Sequence, residues 1–271
     1  MPYCQINDIK LYYEEHGEGV PIVLVHGWTS NSWIWFNQVK YFKESYRVIT
    51  PDLKGHGASD KPEAEYLMTD FASELDEFVT QILGAEKFIL VGHSMGGTVV
   101  LTYALNDQFA NKLLGLVPCG TSYTFGNPIL KQLVQQIKDG EVKMDRSIKA
   151  TISNLAFHRS FARKHKDIVE RDIEEGLKCP DYVATACMDA FVNKYDIEND
   201  LSSITVPTLI LSGNKDDLVT PEYSDTMRSL IPHASLQVIG PKVGHCLQIE
   251  RPDEFNRILE AFIESRLLGC K

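Results

Sequence analysis

The chain has 271 residues, 44% hydrophobic and 24% charged, which suits one large folded core and excludes a disordered or fibrous chain. Lys and Arg number 27 against 37 Asp and Glu, a formal net charge of -10. A field of that sign repels phosphate backbones and anionic lipid surfaces, so neither nucleic acid nor a membrane is an expected partner.

The first residues, MPYCQINDIKLYYEEHG, alternate polar and apolar positions and lack the basic and apolar regions of a signal peptide. YCQIN and KLYYEEHG read as two half-buried edge strands. The next runs are continuous and rich in β-branched residues: PIVLVHG from Pro21, RVITPDL from Arg47, KFILVGHS from Lys87, LLGLVPCG from Leu113, TLILSGN from Thr208 and LQVIG from Leu236. Such runs suit strands buried on both faces of a largely parallel sheet. Helical spacing falls between them, over Trp33–Phe42, Met68–Leu83 and Ser94–Leu105, and later over Pro221–Leu230 and Pro252–Leu268, each of which opens on proline. Alternation of strand and helix is the pattern of a wound α/β sheet.

That alternation lapses between about Tyr123 and Asp200, where Leu130, Leu133, Ile137, Ile148, Ile152 and Leu155 suggest amphipathic helices and no strand. The expected division is therefore a core over 1–122 and 201–271 with a helical insertion over 123–200. No apolar run approaches the ~18 residues of a spanning helix. The six cysteines (Cys4, Cys119, Cys179, Cys187, Cys246, Cys270) form no C-x-x-C pair, and Cys270 is misplaced for a prenylation box. Free thiols in a cytoplasmic protein are the expectation.

LVGHSMGGTVV, Leu90 to Val100, runs an apolar strand straight into a serine. A serine hydroxyl is a weak nucleophile until an imidazole takes its proton, and it must stand clear of its own backbone. Gly92-His93-Ser94-Met95-Gly96 meets the second need: small residues two before and two after the serine let strand and helix close on a tight turn. Such an elbow needs an acid and then a histidine further along the chain. Both occur where strands end, as Asp216 or Asp217 after TLILSGN and as His245 after LQVIG. Parallel sheets place their sites in loops at the carboxyl ends of strands, so these residues can converge. The oxyanion of an attacked carbonyl needs two donors, for which the Met95 amide and the Trp28 amide are candidates. The Trp28 ring is either a wall of the acyl pocket, a core aromatic, or both.

His26 and His93 flank these motifs and are expected to pack or hydrogen-bond locally. His16, His56, His158, His165 and His233 lie in polar surroundings, and the absence of H-E-x-x-H disfavours a zinc hydrolase.

With these residues in hand, the chain closely resembles the α/β-hydrolase superfamily, in the branch of capped esterases and non-haem haloperoxidase-like enzymes. The resemblance covers nearly the whole chain and is carried by His26-Gly27-Trp28, PDLKGHGASDKP, GHSMGG, GNKDDLVTP and GHCLQIERPDEF. It implies the α/β-hydrolase fold, a mostly parallel sheet flanked by helices with a helical cap. It puts the nucleophile on Ser94, the base on His245 and the oxyanion amides on Trp28 and Met95. The usual spacing of glycine, two residues and aspartate leads from Gly213 to Asp216 as the acid, with Asp217 as the fallback. Lys54 departs from the arginine usual in D-x-R-G-x-G and would brace that loop less rigidly.

The resemblance implies a serine hydrolase that cleaves carboxylic esters of small to medium acyl or alcohol groups through an acyl-enzyme, with no metal or organic cofactor. Dehalogenases and epoxide hydrolases of the same fold attack with an aspartate instead. Lactone hydrolysis, carbon–carbon hydrolysis, acyl transfer and perhydrolysis use the same triad, and some relatives are small-molecule receptors with slow hydrolysis and a partner-binding lid. In the cap, the basic run His158 to Lys166 would either guide an anionic substrate or acyl carrier or form a solvated helix face. Cys246, beside His245, is expected to be a small packing residue rather than a redox switch.

Overall fold

The apolar runs become strands in the computed structural model, which describes residues 3–125 and 128–267. β1 (Tyr3–Ile6) and β2 (Ile9–His16) form an antiparallel hairpin, and β2 pairs antiparallel with β4 (Arg47–Pro51). β3 (Pro21–Val25), β5 (Phe88–His93), β6 (Leu113–Cys119), β7 (Leu209–Gly213) and β8 (Ser235–Ile239) continue in parallel, in the order β1-β2-β4-β3-β5-β6-β7-β8. Register brings Val25 level with Gly92, His93 with Cys119 and Gly213 with Ile239. The carboxyl ends of β3, β5, β7 and β8 therefore open on one edge of the sheet.

Successive side chains of a strand face opposite ways, and the core divides accordingly. Val23, Val25 and Leu90 pack on one face, under α2 (Met68–Leu83) and α3 (Met95–Ala104). Ile22, Leu24, Ile89 and Val91 pack on the other, with Phe42 of α1 (Phe36–Phe42) and Phe255 and Leu259 of the C-terminal helix. α3 is buried almost all round, as suits a helix lying behind a site. After it come the short α4 (Asp107–Ala110), then five helices between β6 and β7: α5 (Pro128–Lys138), α6 (Arg146–Ala156), α7 (Arg159–Lys164), α8 (Lys166–Gly176) and α9 (Asp181–Asn193). The isolated bridge Thr124↔Asp196 and the bond Ile197 N→Tyr123 O, 3.1 Å, tie the start and end of this segment together. α10 (Pro221–Leu230), the short α11 (Leu247–Glu250) and α12 (Pro252–Leu267) complete the chain.

Three local expectations are corrected. LQVIG is not buried on both faces: β8 is the sheet edge, only Ile239 is buried and Val238 is 47% exposed. The helix expected from Trp33 begins as a 3-10 turn, Ser32–Trp35, because the Asn31 side chain accepts the Trp33 amide at 3.0 Å and fixes a tighter entry. His56 is fully buried, its ring 5.2 Å from that of His26 and 6.4 Å from that of Phe71. Lys54 is buried too, with Nζ 2.5 Å from Glu74 Oε1 and over the Tyr66 ring, so it anchors its loop to α2. The five described cysteines are free and buried; Cys270 and the expected helix end at Leu268 lie outside the described residues. Among the described residues no helix is long and apolar enough to cross a membrane.

Candidate functional site

β5 delivers the chain to Ser94, which sits in the left-handed region at φ 55°, ψ -120°, before α3 starts at Met95. A side-chain-bearing residue held there is strained, and the flanking glycines are what permit it. A Cβ on Gly92 would meet the Gly96 carbonyl oxygen at 2.3 Å, and one on Gly96 would meet that of His26 at 2.3 Å. The turn is pinned by Ser94 N→Cys119 O at 3.0 Å and by the Thr121 hydroxyl donating to Ser94 O at 2.8 Å. Met95 is the first residue of α3, so its amide is one of the first-turn donors with no acceptor inside the helix. Trp28 follows β3 on the same sheet edge. Among the described residues neither amide donates to a backbone carbonyl in the surrounding turns and loops.

His245 and Asp216 meet: His245 Nδ1 lies 2.8 Å from Asp216 Oδ2, both side chains buried. Asp216 Oδ1 accepts the amides of Leu218 and Val219 at 2.9 and 2.8 Å, so the carboxylate is fixed from both oxygens. Its neighbour Asp217 is exposed and lines a cavity instead. Because a carboxylate only accepts, Nδ1 of His245 carries the proton and Nε2 is left as the basic atom.

The backbone of His245 is held just as closely. Its amide and that of Cys246 both donate to the Ala156 carbonyl, at 2.8 and 3.1 Å, and its own carbonyl accepts from His93 Nε2 at 3.0 Å. Glu250 Oε1 accepts from Gly244 N at 2.9 Å and from His158 N at 3.1 Å. Thus α6, α7 and the His245 loop are stitched together. Burial pushes the Glu250 carboxyl up to about 7, against the lowering effect of those two amides. Burial likewise pushes His26 down to about 4 and His56 and His93 down to about 3. His26 is locked between Gly27 O, to which Nδ1 donates, and the Leu53 amide, which Nε2 accepts.

Ser94, His245 and Trp28 all line two cavities, one of about 90 Å³ and one of about 370 Å³. The Trp28 ring donates Nε1–H to Ala184 O of α9 at 2.8 Å and meets Phe191 edge-on, so it both packs and forms a wall. The larger cavity is apolar, with Phe125, Leu130, Leu133, Met188 and Phe191 from the segment between β6 and β7. The smaller one holds Asp172 of α8, a residue absent from the expected site. Its signal was available: Val169, Asp172, Ile173 and Gly176 share a helix face and the other three are buried. The basic run forms α7 with His158 as its cap, and Arg159, Arg163, Lys164 and Lys166 are exposed. Among the described residues no cluster of three or more His, Cys, Asp or Glu side chains is placed to hold a metal.

Residues 20–252 match the family model of the alpha/beta hydrolase fold. The chain is similar to the non-heme haloperoxidase of Rhodococcus erythropolis, 30% identical over 98% of this chain and 100% of that protein. It is similar also to the pimeloyl-[acyl-carrier protein] methyl ester esterase of Aliivibrio salmonicida, 28% identical over 94% and 96% of the two chains. Among solved structures, a thermophilic esterase from Thermogutta terrifontis superposes with a TM-score of 0.86 at 27% identity, covering 95% of this chain and 94% of that one.

Proposed function

The chain belongs to the alpha/beta hydrolase fold family, and from that premise we propose that it is a serine hydrolase that cleaves carboxylic esters of small to medium groups through an acyl-enzyme. The observation that carries the reading is the buried Asp216–His245 pair, 2.8 Å apart, whose histidine lines the same two cavities as the strained Ser94.

Each atom then has a part. Ser94 Oγ attacks the ester carbonyl while His245 Nε2 takes its proton, and Asp216 holds the imidazole in the required tautomer and stabilises it once charged. Charge developing on the carbonyl oxygen meets the Trp28 and Met95 amides, with the amino end of α3 behind the second. His245 returns the proton to the departing alcohol, then activates a water that releases the acid and restores Ser94. Residues 123–200 serve as the cap, and the apolar cavity they line takes the longer chain of the ester.

Hydrolysis of p-nitrophenyl esters of increasing acyl length by the wild type and by Ser94→Ala tests this. Multiple turnover is expected, with a medium chain preferred over acetate and a loss of roughly 10⁴-fold or more in the variant. Turnover on no ester, or turnover indifferent to Ser94, would overturn the reading.

A further inference from the structure

The two cavities that meet at Ser94 and His245 differ in chemistry. Against the apolar walls of the larger one, the smaller presents Lys149, Ser153 and Asp172 from α6 and α8, opposite Thr29 and Ser30. Asp172 stands on the face of α8 that carries the buried Val169, Ile173 and Gly176. A carboxylate carried inward in this way costs free energy unless something bonds to it.

The protein satisfies it only in part. The Ser153 hydroxyl donates to Asp172, whereas a carboxylate offers about four acceptor sites. Of the side chains that can carry positive charge, His245 acts on Asp172 but has its Nδ1 held by Asp216; Lys149 Nζ lies 2.7 Å from Cys179 O and 3.3 Å from Asp181, Arg171 covers the Trp33 ring, and Arg146 pairs with Glu170 and Glu174. Among the described residues no Lys or Arg is paired with Asp172. Acceptor capacity is thus left over in a small compartment that opens beside the nucleophile.

We infer that Asp172 is a specificity-determining residue that accepts a hydrogen bond from a hydroxyl on the short side of the substrate ester. The preferred substrate then joins an apolar group of medium length, seated in the larger cavity, to a short hydroxylated group in the smaller one. This rests on the ester-hydrolase reading and narrows its substrate class. A hydroxyl fits better than an ammonium group, because Lys149 lines the same compartment and repels a cation. It fits better than a methyl group, which would take the Asp172 carboxylate out of solvent and return no hydrogen bond.

Two isosteric pairs of esters test the inference. Propyl and 2-hydroxyethyl hexanoate vary the alcohol side; hexyl butyrate and hexyl 3-hydroxypropionate vary the acyl side. kcat/KM is measured for the wild type, Asp172→Leu and Asp172→Asn, and equilibrium binding of the same four esters is measured on Ser94→Ala. The wild type should prefer the hydroxylated member of one pair by about tenfold or more. Asp172→Leu should reverse that preference, and Asp172→Asn, which keeps the shape and one acceptor, should fall between. Equal rates within both pairs, or a preference that survives Asp172→Leu, would overturn the inference and leave ester hydrolysis standing. Loss of all Ser94-dependent turnover would instead remove the hydrolase reading. The order of binding to Ser94→Ala would still decide on Asp172: tighter binding of a hydroxylated ester supports the inference, and equal binding rejects it.

Discussion

Asp216 and Asp217 are neighbours of identical chemistry, and what separates them is how their oxygens are used. Asp216 spends one on two backbone amides and the other on His245, while Asp217 is exposed at the cavity wall. In the proposed mechanism only the first keeps the imidazole in its working tautomer. Asp216→Asn is therefore expected to lower kcat on a p-nitrophenyl ester by about 10³- to 10⁴-fold, and Asp217→Asn by less than about tenfold; comparable losses in both would unseat the assignment. The residues alone leave Asp216 and Asp217 both open in the loop after the strand, and it is the family resemblance, through its usual spacing from Gly213, that prefers Asp216. Asp172 is different. Its helix face, shared with Val169, Ile173 and Gly176, marks it only as turned inward, and the fold of α6 and α8 over Ser94 is what gives the residue something to face.

Among the elements, the strand–turn–helix around Ser94 was the most legible, because its requirements are short-range: an apolar strand, a serine, and small residues where backbones touch. Gly96 carries the tightest of these contacts, since a Cβ there would lie 2.3 Å from His26 O and 2.5 Å from Val25 O. Those atoms are backbone and cannot swing away. Gly96→Ala is expected to push α3 off β3 and to destabilise the fold by about 1–3 kcal/mol, read as a lower midpoint in urea unfolding; a midpoint unchanged from the wild type would show that the close packing is not required. The misread elements share a different cause. β8 has the apolar run of a central strand but lies at the edge, and His56 has polar neighbours in sequence yet sits beneath α2. Position across a sheet is decided by strand order, which no single segment carries.

Over the whole molecule, burial loads the pH dependence from two sides. His26, His56 and His93 stay neutral in the fold well below the ordinary imidazole range, so an unfolded chain takes up their protons first and stability is lost as pH falls below about 6.5. Glu250 acts in the opposite sense. Its folded form holds a proton up to about 7 whereas the unfolded carboxyl releases it near 4.5, so its contribution declines as pH rises between those values. Glu250→Gln keeps an acceptor for Gly244 and His158 but cannot ionise. Relative to this variant, the wild type is expected to lose about 3 °C or more in Tm between pH 4.5 and 7; thermal unfolding of both proteins across that range checks it, and a constant gap would mean that Glu250 titrates normally.

Ala156 ends α6 by giving one carbonyl to two amides, those of His245 and Cys246, and two residues later His158 shares Glu250 with Gly244. For anyone re-engineering the molecule, residues 123–200 are consequently not a cartridge to be pulled out and exchanged. A chimera carrying another protein's helices would import new pocket walls and, unless it reproduced the chain path at 156–158, would also dislocate the histidine those walls are meant to serve.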